Sequence, residues 1–133
     1  MKFETIEQRA VIGATPDEVY EAYTDPEKHA AFTGSPAEGT PKVGGRFTAW
    51  DGYIEGKFLE LVKGKKIVHE WKTTEWPAGY PPSVVKLTLK PEGKGTELTM
   101  VHSRVPADQV EDYKSGWTDF YWNPLKKYFE DRK

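Results

Sequence analysis

Residues 3–12, FETIEQRAVI, alternate apolar and polar in part, through Phe3, Ile6, Ala10 and Ile12. A broken period of two predicts a strand carrying a bulge. Gly13-Ala14 ends it, and Thr15-Pro16-Asp17-Glu18 reads as a helix start. Thr15 suits the N-cap, Pro16 the first helical position, and Glu18 the reciprocal place of a capping box. Val19, Tyr20, Ala22 and Tyr23 form an apolar face, so this helix should run to about Thr24. Asp25-Pro26 restarts a second short helix to about Phe32, expected at the mouth of a sheet. Residues 33–45 hold four glycines and two prolines and read as a loop. Strands are expected at about 46–51, 53–62, 66–74, 84–90 and 96–105, with turn signals at Asp51-Gly52, Gly64-Lys65 and Glu92-Gly93-Lys94-Gly95.

The last segment changes period. Val110, Tyr113, Trp117, Phe120, Tyr121, Pro124, Leu125, Tyr128 and Phe129 fall mostly at helical spacing. Pro124 removes a donor inside that helix and is expected to kink it. Sequential hairpins make an antiparallel sheet. Only the last helix is long and apolar enough to cover one face of it. The fold class is therefore α+β: a curved antiparallel sheet wrapped around a long C-terminal helix, with two short helices after the first strand.

At 133 residues the chain reads as one domain, 1–133. A domain of this size buries roughly two thirds of the surface its unfolded chain exposes. Aromatics at 14% are high for a chain that is 30% charged, so a few large rings must supply much of the core. There is no cysteine, which excludes disulfides, thiolate metal sites and a cysteine nucleophile. The N-terminus lacks the apolar run of a signal peptide, and no stretch approaches a membrane span. A net charge of −2 with interspersed signs argues for neither nucleic acid nor an anionic membrane as partner. The expected location is cytoplasmic.

This order of elements is similar to the START-like, or birch-pollen-allergen-like, helix-grip fold. Within it, the chain carries Thr15-Pro16-Asp17-Glu18-Val19-Tyr20, Phe32-Thr33, Gly44-Gly45-Arg46-Phe47 and Ile54-Glu55-Gly56-Lys57-Phe58, then Lys66-Ile67-Val68-His69-Glu70-Trp71, Trp76-Pro77, Thr96-Glu97-Leu98 and Gly116-Trp117. On these residues the closer resemblance is to the C-terminal domain of the activator of heat-shock protein 90 ATPase family. The resemblance implies a non-enzymatic, chaperone-associated protein with a heat-shock protein 90 type ATPase as partner. In the eukaryotic activator a separate N-terminal domain carries much of the stimulating activity, and the 133 residues are read as lacking it.

The aromatics are the main candidate site. Phe47, Phe58, Trp71 and Trp117 can face the space between sheet and helix, joined by Leu87, Met100 and Tyr121. Two readings stay open: a packed core, or a pocket for a small apolar ligand. His69 and His102 fall on strands and would converge there, either as hydrogen-bonded core residues or as the only candidates for proton transfer or metal binding. No carboxylate stands at a ligand spacing to them, so no metal and no cofactor are expected. Periodicity places no pair of carboxyls inside, no Gly-x-Ser-x-Gly occurs, and the Gly44-Gly45 and Gly93-Lys94-Gly95 stretches match no phosphate loop. Trp50, Trp76 and Trp122 are candidate partner-surface residues, on the outer sheet face, in the Trp76-Pro77 loop and off the last helix.

Overall fold

The structure, a computed structural model, describes residues 1–132. Seven strands form one antiparallel sheet: β1 (Phe3–Ile12), β2 (Glu38–Gly39), β3 (Arg46–Ala49), β4 (Ile54–Val62), β5 (Lys66–Thr73), β6 (Ser83–Glu92) and β7 (Gly95–Pro106). Their spatial order is β1-β7-β6-β5-β4-β3-β2. β1 thus closes onto β7 from the far end of the chain, and the hairpins follow one another along the rest.

Two helices fill the β1–β2 connection, α1 (Pro16–Thr24) and α2 (Pro26–Thr33). The capping box forms as the sequence predicts. The backbone N–H of Glu18 donates to the Thr15 hydroxyl at 3.2 Å, and that of Thr15 donates to the Glu18 carboxylate at 3.0 Å. Asp25 separates the helices: its backbone N–H closes α1, and its carboxylate accepts from the N–H of Glu27 to open α2. Beyond α2, β2 is a two-residue strand within the expected loop, held by its pairing with β3.

Burial alternates strictly through β5, from Ser83 to Leu89 in β6 and from Gly95 to Ser103 in β7, so every second side chain there points into the core. Register then sets the inward residues in rows across the sheet. One row runs Phe58, His69, Val85, His102 and Ile6; the next runs Leu61, Ile67, Leu87, Met100 and Gln8. The expected bulge in β1 lies between Glu4 and Ile6, and a second interrupts β4 between Phe58 and Glu60. At Gly56 a Cβ would lie 2.6 Å from the Phe47 ring of β3 and 2.0 Å from the Glu70 carbonyl oxygen of β5, so only glycine lets β4 sit this close to both neighbours.

The terminal helix has three parts: α3 (Val110–Trp117), a π turn over Thr118–Trp122, and α4 (Asn123–Glu130). The irregularity expected at Pro124 takes this form. The N–H of Asn123 donates to the carbonyl of Thr118, five residues back. The wider turn lets Trp117 touch both Tyr121, at 4.8 Å between ring centroids, and Trp122, stacked at 5.2 Å. Regular α-helical spacing would carry Trp122 off the core face. Among the described residues no helix is long and apolar enough to cross a membrane.

Candidate functional site

Between the sheet and α3 lies a groove of about 440 Å³, within the size range of small-molecule sites. Trp71 and Ile54 form its floor, Tyr113, Trp117 and Tyr121 one wall, and Trp50 and Tyr53 the other. Phe120, 55% exposed, faces Trp50 across the mouth at 5.5 Å. Gly116 lines the groove too, and a Cβ there would meet only the Phe120 ring, at 3.9 Å.

Local backbone explains how Trp50 gets there. Trp50, Asp51 and Gly52 all have positive φ, at 54°, 56° and 88°. The N–H of Tyr53 donates to the Trp50 carbonyl at 3.1 Å, so Asp51-Gly52 forms the hairpin turn the sequence signals. A left-handed Trp ahead of that turn costs about 1–3 kcal/mol. It ends β3 at Ala49 and turns the indole toward the helix.

The predicted cavity residues divide. Trp71, Trp117 and Tyr121 line the groove. Phe47 and Phe58 line a crevice of about 20 Å³ under α1, room for little more than one water. Leu87 and Met100 are wholly buried in the row next to that of His69 and His102, away from the groove. Both histidines are wholly buried and neither lines the groove: His102 packs behind Trp71 and Trp117, and His69 packs against Tyr23, Phe47 and Phe58 beside the crevice.

The partner-surface expectation needs correction. Trp122 is 3% exposed, and its indole N–H donates to Gln8 Oε1 at 2.7 Å. The π turn is the cause. Trp76 is half-buried, stacked on Tyr113, with its N–H donating to the Pro81 carbonyl at 3.0 Å. Trp50 faces the groove rather than the outer sheet face. Phe120, expected on the apolar face, is the ring that faces solvent.

Each buried histidine has its proton placed by its neighbours. His69 Nδ1 lies 2.8 Å from the Glu70 carbonyl and must donate, so Nε2 accepts from the Tyr23 hydroxyl at 2.9 Å. His29 follows the same logic: Nδ1 donates to the Tyr23 carbonyl, and Nε2 accepts from the Tyr121 hydroxyl. His102 is reversed. The Trp117 indole N–H donates to its Nδ1, so Nε2 carries the proton and donates to Ser83 Oγ at 2.7 Å. Ser83 in turn donates to the Trp71 carbonyl at 2.6 Å. Burial lowers all three histidine pKa values, to about 4 for His69 and about 3 for His102. No sequence motif announces Ser83 beside His102, or Gln8 pinning the helix. A polar residue in an inward strand position was the available signal for both.

The Ser83–His102 contact superficially resembles a nucleophile and its base. A base must hold Nε2 unprotonated, and a carboxylate or carbonyl on Nδ1 would keep it so. Here an indole N–H donor occupies Nδ1, and Ser83 is fully buried. Among the described residues no cluster of three or more metal-ligating side chains is present.

A curved seven-stranded sheet gripping a terminal helix, with two short helices after the first strand, defines the helix-grip class. Residues 13–130 match the family described as Activator of Hsp90 ATPase homolog 1-like protein, and the chain belongs to that family. A human relative, activator of 90 kDa heat shock protein ATPase homolog 1, is 35% identical over 115 residues, covering 86% of this chain and 34% of that one. The chain spans about a third of the length of the curated relatives it matches. The crystal structure of an HSP90 activator from Plasmodium falciparum is similar at a TM-score of 0.87 and 28% identity, covering 95% of this chain and 96% of that one. A Mesorhizobium loti protein is similar at 0.82 and 27%, covering 98% and 99%.

Proposed function

We propose that this protein is a non-enzymatic binding protein that engages a heat-shock protein 90 type ATPase. The observation that carries this reading is likeness along nearly the whole chain to an HSP90 activator of matching length, at a TM-score of 0.87. The buried histidines support the non-enzymatic part, because both ring nitrogens of each are committed to neutral hydrogen bonds. The test is titration of the chain into the chaperone of the same organism, with binding and ATP turnover followed together. Saturable binding with a change in turnover is expected. No binding and unchanged turnover would defeat the proposal.

The groove favours a second reading, a carrier or sensor of a small apolar molecule. Its lining is almost entirely ring and hydrocarbon, and its volume suits such a ligand. Mass spectrometry of gently purified protein should detect a retained small molecule, and the Gly116→Leu variant should lose it.

A further inference from the structure

We propose that the groove binds a small organic cation, an ammonium group carrying alkyl or aryl substituents. This rests on the second reading above and names the ligand class.

Six aromatic rings line the groove, those of Trp50, Tyr53, Trp71, Tyr113, Trp117 and Phe120, with Trp50 and Phe120 near perpendicular at 72° and Trp71 and Tyr113 at 83°. Aromatic faces carry negative electrostatic potential and attract cations within about 6 Å of a ring centroid. The one charged residue in the lining is a carboxylate, Asp112, and no lysine or arginine stands there. A second carboxylate, Glu75, lies outside the lining but accepts a hydrogen bond from the hydroxyl of Tyr53, which is in it. Both acids raise the pKa of the Tyr113 hydroxyl, after burial, so both act on the groove wall. Among the described residues neither is in an ion pair.

The hydrogen-bonding groups of the wall argue the same way. The Tyr113 hydroxyl exchanges hydrogen bonds with Thr73 and Gln109, that of Tyr121 with His29, and the Trp117 N–H is taken by His102. The Trp71 N–H has no partner and is walled off from solvent. An anion or a sugar entering this space would lose its water and find few replacements. A substituted ammonium needs no directed hydrogen bond; it needs ring faces and a nearby negative charge. The left-handed backbone at Trp50 sets its ring in the lining, and the missing side chain of Gly116 leaves the space beside it open.

The experiment compares phenyltrimethylammonium with its neutral isostere tert-butylbenzene by NMR titration, following the indole resonances of Trp71 and Trp117. The wild-type protein should bind the cation, with those resonances shifting. The double variant Asp112→Asn, Glu75→Gln alters exposed side chains only. It should weaken the cation by roughly five- to twenty-fold and leave the neutral probe unchanged. Gly116→Leu should abolish both. Binding of the neutral probe alone would overturn the cation proposal and leave the apolar-ligand reading standing. Binding of neither would overturn both. Cation binding that ignores the loss of the carboxylates, or that survives Gly116→Leu, would also overturn it. So would binding of a trimethyllysine peptide in place of the free cation, since the groove would then be a docking site for a partner chain.

Discussion

The indole N–H of Trp117 donates to Nδ1 of His102 at 3.0 Å, joining the terminal helix to β7 by a hydrogen bond inside the core. This contact fixes the proton of His102 on Nε2 and passes the network on to Ser83 and the Trp71 carbonyl.

Trp117 is 2% exposed and packs on Trp71, Tyr121 and Trp122. Trp117→Ala should therefore cost about 3–5 kcal/mol by chemical denaturation. Trp117→Phe keeps most of the ring but strands His102 Nδ1, and should cost about 1–3 kcal/mol. A loss below about 1 kcal/mol for the alanine variant would show that this helix face does not hold the core.

Acid should destabilise the fold earlier than carboxylate titration alone would. The folded pKa values of His69 and His102 are depressed, to about 4 and about 3, chiefly by burial, whereas the unfolded histidines titrate near 6.5. Below that pH the unfolded chain binds more protons, so stability falls as pH falls. The histidine contribution is fully present above about pH 6.5 and is lost progressively toward pH 4 and 3. Unfolding free energies at pH 7.5 and 5.0 should differ by roughly 2–4 kcal/mol. Equal values would mean that these rings are protonated without resistance.

Gly116 lies inside α3 with a φ outside the left-handed region and open space beside it. Gly116→Ala should stabilise the protein by about 0.5–1 kcal/mol, read from the denaturation midpoint. A destabilised variant would mean that the helix needs closer approach here than the geometry shows.

Trp122 and Phe120 make a paired test of the π turn. Trp122→Ala removes a buried ring bonded to Gln8 and should cost about 3–5 kcal/mol. Phe120→Ala touches an exposed ring and should change stability by less than about 1 kcal/mol. The reverse ranking would put the helix in uninterrupted α register.

Much of the fold was legible because local chemistry and period agreed. Thr15 and Glu18 announce the start of α1, Asp25-Pro26 the break, and Asp51-Gly52 the hairpin. The alternation from Lys66 to Thr73 states which side chains of β5 face inward. Two causes account for the differences. A uniform helical period puts Phe120 inside and Trp122 outside, and the π turn shifts that period partway along the helix. A strand expected over 46–51 leaves Trp50 on the outer sheet face, and no residue type announces a left-handed tryptophan. The groove was not legible either, since a list of rings is equally consistent with a filled core.

Thus the sequence by itself determined the elements, their order, and the aromatic interior, because capping, turn chemistry and periodicity act over a few neighbouring residues. Only the tertiary structure decided which rings fill the core and which frame a groove. It also decided that Ser83 meets His102 with the wrong tautomer for catalysis, and that Gln8 pins Trp122 from 114 residues away. Those outcomes depend on strand register and helix phase, which long-range packing sets and no short stretch of sequence encodes.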